Sequence, residues 1–200
     1  MQNLKYPKLT RRLKAILFEV LLWTPMIALF IYFEESGNKT QDISSEVIGA
    51  LLGTGYILFF HSKFGQDLGK MIAKIKIVSI DGSKMTFKKA LLRNSAYILL
   101  DLTLLTSIIS AILKVPQEIY NYSKFDSSST EYDIYFESLE KAGPLTDPIL
   151  IIAVIWIACD LFTIIYSKNN RAIHDFIAGT VVIESNTANE KFNQKDSKKT

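Results

Sequence analysis

The sequence predicts an all-α membrane protein, a four-transmembrane-helix bundle carrying a small cytoplasmic two-stranded β element and short amphipathic helices. Three observations lead there. The apolar residues of the 200-residue chain are gathered into four blocks, at 15–33, 43–62, 95–113 and 148–167. Each is about as long as the ~20 residues a helix needs to cross ~30 Å of hydrocarbon. Basic residues crowd the segments that alternate with these blocks, and two β-branched runs, 74–80 and 179–184, stand outside them. The chain-wide averages, 48% hydrophobic with a net charge of +3, hide this segregation and would suit a soluble domain.

Residues 1–14 form a basic cytoplasmic N-terminus, with Lys5, Lys8, Arg11, Arg12 and Lys14 and no acid. The first block follows, and Glu19 is its one ionisable residue. Its length and the lack of a small-residue cleavage site mark a retained span, not a signal peptide. Pro25 predicts a kink in it. The second block is diluted at its outer end by Ser44, Ser45 and Glu46. Gly49, Gly53 and Gly55 predict close helix packing there, because small residues let membrane helices approach. His61 ends this span as a structural histidine at the interface.

The connection 63–94 is basic and patterned, with Lys63, Lys70, Lys74, Lys76, Lys84, Lys88, Lys89 and Arg93. Residues 64–73 suggest a short surface helix, and 74–80 alternates with period two as a strand does. Asp81-Gly82 signals a turn, and Thr86 can cap a helix running into the third span. That span holds Asp101. The outer loop 114–147 is acidic and tyrosine-rich and predicts a short helix. The fourth span carries Cys159, read as a small packing residue, and Asp160. The second strand, 179–184, pairs most economically with the first, since a lone strand leaves its amides unpaired. Residues 186–200 read as a disordered tail, leaving 15–185 as the membrane domain. The bias of lysine and arginine places both termini and the 63–94 loop in the cytoplasm of a multi-pass protein of the cell (plasma or inner) membrane.

Three acids inside spans are the strongest chemical signal. At ~1.5 Å per residue, Glu19 is ~8 Å from Lys14, Asp101 ~12 Å from Arg93 and Asp160 ~12 Å from Lys168, so all three sit at similar depth in the inner half. Lone acids in hydrocarbon are costly and mark function or pairing. One reading is structural: Arg12 lies two turns before Glu19 on the same helix face, and Arg12 and Arg93 neutralise the acids. The other is a path for a proton or monovalent cation. The sequence is read as non-enzymatic and without cofactor or metal. Gly65 to Met71 is too short for a phosphate-cradling loop, two histidines are too few for a metal hydrolase, and no serine or cysteine nucleophile can be assembled. The basic patch between two spans suits anionic lipid headgroups, not nucleic acid.

Three blocks together resemble the RDD membrane proteins, a family named for one arginine and two aspartates. They are Arg11-Arg12-Leu13-Lys14-Ala15-Ile16-Leu17-Phe18-Glu19; the run from Gly65 through Leu68-Gly69-Lys70-Met71, Lys74-Ile75-Lys76-Ile77-Val78, Asp81-Gly82 and Leu91-Leu92-Arg93-Asn94 to Asp101; and Arg171-Ala172-Ile173-His174-Asp175-Phe176-Ile177-Ala178-Gly179-Thr180-Val181-Val182. The resemblance extends from about residue 11 to 183. It implies that Arg12 is the family arginine, that Asp175 is the closing aspartate, and that Glu19 replaces the first aspartate with an arm one methylene longer. It also implies either cation/proton exchange or an accessory membrane role. Four short spans are few for alternating access, so exchange calls for a homo-oligomer, and the accessory role calls for a membrane-protein partner.

Overall fold

The computed structural model describes residues 5–34, 39–116, 137 and 146–185. Most of the outer loop expected over 114–147, with its aromatic residues and short helix, and the tail expected over 186–200 lie outside the described residues. Four long helices account for most of the chain: α1 (Leu9–Glu34), α2 (Lys39–Phe64), α4 (Phe87–Lys114) and α5 (Thr146–Tyr166). Between them lie two short helices, α3 (Leu68–Ile72) and α6 (Ile173–Ala178), and two strands, β1 (Ile75–Ser79) and β2 (Thr180–Glu184). Three of the long helices, Lys39–Phe64, Phe87–Lys114 and Pro148–Tyr166, are long and apolar enough to cross a membrane. Helix α1 runs for 26 residues with Pro25 inside it.

Large apolar side chains are exposed along all four long helices, among them Leu17 at 57%, Leu51 at 68%, Leu99 at 64% and Val154 at 65%. Contiguous apolar exposure of this kind is rare on water-soluble proteins and calls for lipid or a partner. Cys159, expected to pack, is exposed on α5, because this helix is apolar around most of its circumference and few of its positions face the chain itself.

The chain divides into two compact units. One gathers residues 1–23, 56–96 and 156–200; the other gathers 24–55 and 97–155. In the second, Ile43, Ile108, Ile112 and Val115 cluster, and the Lys39 ammonium donates to the Val115 carbonyl. Gly53 and Gly55 also belong here, and an added Cβ on either would meet nothing within 4 Å. The close approach expected at Gly53 and Gly55 is therefore not made among the described residues.

The first unit is built on the antiparallel pair β1–β2, in register Ile75↔Glu184 through Ser79↔Thr180. Two strands alone are marginal in water, and here both faces are covered. Ile75, Ile77 and Val182 pack with Ala15, Met85 and Ala90 on one side. Val78, Val181 and Ile183 pack with Tyr6 on the other. The period-two alternation of β-branched residues feeds both faces at once. Gly65, at φ +68°, makes the turn out of α2, and its carbonyl accepts from the Ile77 amide at 2.7 Å. A side chain there would be strained and would strike the Ile77 carbonyl oxygen. Thr86 Oγ1 accepts from the Lys89 amide at 3.3 Å and caps α4. Helix α4 begins well before the apolar block at 95, and its added turns carry Arg93 and Asn94.

Ile77 is fully buried and Leu51 is 68% exposed, which sets a contrast. Ile77→Ala should cost about 2–5 kcal/mol through lost burial and a cavity, whereas Leu51→Ala should stay within about 0.5 kcal/mol. Thermal unfolding in detergent micelles, followed by tryptophan fluorescence, reads both.

Candidate functional site

Arg12, Arg93 and Arg171 of the first unit converge on Asp175, which has no solvent exposure. Its Oδ1 accepts from the Arg93 guanidinium and from Thr180 Oγ1 at 3.0 Å. Its Oδ2 accepts from the Ala172 amide at 3.1 Å and lies 3.7 Å from Arg12 Nη1. Asp175 stands at the third position of α6, so that carboxylate also completes the helix's N-terminal capping. Arg171 donates from Nε to the Thr180 carbonyl at 3.0 Å and from Nη2 to the Asp175 carbonyl at 2.9 Å. Its guanidinium stacks 4.0 Å from the Phe176 ring centroid. Three arginines from three parts of the chain thus meet one carboxylate residue, an arrangement sequence spacing cannot display.

Arg12 turns away from Glu19. Its Nη2 donates to the Asn170 carbonyl at 2.5 Å, and Asn170 Nδ2 donates to the Pro7 carbonyl at 3.1 Å. Asn170 holds φ +50°, a left-handed conformation that asparagine tolerates. The same-face pairing expected between Arg12 and Glu19 is replaced by this longer-range contact, because Asp175 offers the guanidinium a buried carboxylate. The sequence places Arg171 and Thr180 inside the closing block without giving either a role, and Asn170 carries no signal beyond standing next to that block.

Glu19 instead receives neutral donors. Oε1 accepts from Tyr56 Oη at 2.7 Å and Trp23 Nε1 at 3.2 Å, and Oε2 accepts from the Gly69 amide at 2.6 Å. The Tyr56 hydroxyl in turn accepts from the Leu68 amide at 3.0 Å. Glu19 and Tyr56 therefore satisfy the first amides of α3, which have no partner inside their own helix. A Cβ on Gly69 would collide with the Ala15 carbonyl oxygen and come within 2.7 Å of Glu19 Oε2, so the close helix approach falls at Gly69.

Asp160 plays the same part for α6. Oδ1 accepts from the Ile173 amide at 2.9 Å, and Oδ2 lies 2.6 Å from His174 Nδ1. Asp101 belongs to the second unit, where its side chain is exposed, and among the described residues nothing pairs with it. The three acids of the apolar blocks, expected as one constellation, serve different surroundings: two anchor the starts of short helices, and the third meets neither.

Both histidines are locked in one neutral tautomer by their neighbours. Arg93 Nη2 lies 2.8 Å from His174 Nε2. A guanidinium only donates, so Nε2 accepts and the proton sits on Nδ1, facing Asp160. Burial, then the adjacent Arg93 charge, pulls the His174 pKa down to about 4 despite Asp160. Asn94 Nδ2 donates to the Ala90 carbonyl at 2.7 Å and to His61 Nδ1 at 3.1 Å. His61 Nε2 therefore donates to Asp67 Oδ2 at 3.3 Å. Burial works to raise the Asp67 carboxyl, but His61 and Lys70 outweigh it and hold the carboxyl well below its usual range. The neighbours Arg93 and Asn94 on α4 thus each fix one histidine.

Removing one partner from a buried charge network leaves the rest uncompensated, at about 3–5 kcal/mol. Asp175→Ala should lose about that much, and Gly69→Ala about 1–3 kcal/mol through overpacking, both read as unfolding midpoints in detergent. For His174 the lowered pKa means the unfolded chain binds the extra proton first. Stability should then be full above pH ~6.5 and fall as pH drops from there toward about 4. His174→Gln should reduce that slope, and an unchanged slope would contradict the assignment.

A model of the RDD family matches residues 6–179, which include Arg12, Arg93, Arg171 and Asp175. No curated protein and no solved structure matches the chain. By its sequence over that stretch, the chain belongs to the RDD family.

Proposed function

We propose that this RDD-family protein is a non-catalytic membrane scaffold or regulatory accessory subunit, in which the buried carboxylates are structural. The observation that carries this reading is the saturation of those carboxylates. Glu19 holds three donors, Asp160 holds an amide and a histidine, and Asp175 holds an arginine, a threonine and an amide. A proton or cation cycling on these groups would have to displace donors that also fix α3, α6 and the sheet, and each displacement would expose unpaired buried groups.

On this reading α1 is a fourth span. Its exposed Leu13, Ile16, Leu17, Val20 and Leu21 support that, as does the neutralisation of Glu19 by hydrogen bonds that suit a lipid setting. Both termini and the strand pair face the cytoplasm of the cell membrane, in line with the distribution of lysine and arginine. The platform they form is offered to a membrane-protein partner or a second copy.

A second reading, cation/proton exchange, is favoured by one residue. Asp101 lies within a helix apolar enough to span a membrane and is exposed, and such an acid is a candidate ion or proton carrier. Purified protein in vesicles loaded with a pH-sensitive dye separates the two. The scaffold reading expects no sodium- or potassium-dependent proton flux from the wild type, and a lowered unfolding temperature for Glu19→Gln. Flux in the wild type that disappears in Asp101→Asn would replace it with exchange.

A further inference from the structure

The segment before α1 is more ordered than a basic leader needs to be. The Lys5 carbonyl accepts from the Glu184 amide at 3.0 Å, extending the end of β2. Tyr6 packs on Val78, Val181 and Ile183, Pro7 is fully buried, and its carbonyl is held by Asn170. These anchors fix one wall of a cleft of about 580 Å³ lined by Lys5, Lys8, Arg11, Lys14 and Glu184. That volume falls in the usual range for a small-ligand site. Within it Arg11 pairs with Glu184 at 2.8 Å. Among the described residues, no carboxylate pairs with the ammonium groups of Lys5, Lys8 or Lys14. Anchored backbone thus gathers three lysine charges around one concavity, none of them matched by a carboxylate among the described residues.

We propose that this cleft binds the headgroup of an anionic phospholipid carrying about two negative charges, in the form of a bisphosphate or a phosphomonoester. Charge complementarity argues for the anion, since three unmatched cations exceed what a single phosphodiester neutralises. The surroundings argue for a lipid. Thr10 lines the cleft, and Leu13 and Leu17 follow it on the same helix face, 47% and 57% exposed. An acyl chain leaving the headgroup meets that apolar stripe directly, whereas a soluble anion gains nothing from it. Lysines near a membrane surface each add to the attraction for acidic lipid, and the gain is greatest where they converge on one headgroup. The inference rests on α1 being a span whose start lies at the inner headgroup layer. It is read as binding, not as flux, so it can fail while the scaffold reading stands, and the reverse.

The test is native mass spectrometry of the full chain in detergent, titrated with cardiolipin, phosphatidic acid and phosphatidylcholine. Cardiolipin or phosphatidic acid should bind on the order of 10- to 100-fold more tightly than phosphatidylcholine. The triple variant Lys5→Gln/Lys8→Gln/Lys14→Gln should lose that preference. A variant with equal charge loss at exposed positions elsewhere, Lys63→Gln/Lys88→Gln/Lys168→Gln, should keep it. Glu184→Gln removes the carboxylate of the cleft and frees Arg11, so it should tighten binding several-fold, a gain that misfolding cannot imitate. Equal loss in both triple variants, no discrimination by the wild type, or displacement of the lipid by inorganic pyrophosphate would each overturn the proposal.

Discussion

A carboxylate with no solvent exposure, Asp175, flanked by the guanidinium groups of Arg12 and Arg93 while Arg171 holds its main-chain carbonyl, is the contact on which the first unit depends. Removing a charge from water costs several kcal/mol, and pairing offsets that cost only when geometry and additional hydrogen bonds are good. Here Thr180 and the Ala172 amide supply those hydrogen bonds. The network also joins pieces far apart in sequence: the start of α1, the start of α4, the turn before α6 and the start of β2. None of these could be placed independently without leaving a buried charge unmatched.

Around that centre, connectivity repeats although the sequence does not. A long helix, a short helix and a strand follow one another twice, as α2–α3–β1 and α5–α6–β2. In each case a carboxylate borne by a long helix receives an amide at the start of the short one, Glu19 for α3 and Asp160 for α6. In each case a histidine bridges an aspartate to a donor on α4. The physical need is the same twice over. A short helix cannot satisfy its own first amides, and an acid in an apolar helix is costly without donors. Each answers the other.

This pairing accounts for acids that, by sequence alone, resemble a transport constellation. Depth along each helix can be counted from the flanking basic residues, and it suggested a common level. Depth says nothing about azimuth or about which chain segment folds back against the acid. Glu19 points at Tyr56 and Gly69, residues that lie beyond any local spacing rule, and Asp101 sits on an exposed face of the second unit. Likewise Gly53 and Gly55 carry the small-residue spacing of packed helices, yet among the described residues a tight helix contact falls at Gly69, where α3 meets the Ala15 backbone.

The sequence by itself determined the elements. The four apolar blocks, the two β-branched runs, the Asp81-Gly82 turn and the cap at Thr86 are all local patterns, and hydropathy and period are written in consecutive residues. It also marked the family, through Arg12, Glu19, Arg93 and Asp175. Only the tertiary structure decided partnership: that Arg12 reaches Asp175 and Asn170, that Glu19 is held by a tyrosine, a tryptophan and an amide, and that both histidines are neutral. Ion pairs and tautomers depend on distances between segments up to about 160 residues apart. Those distances are fixed by how the sheet and helices pack together, which no window of sequence contains.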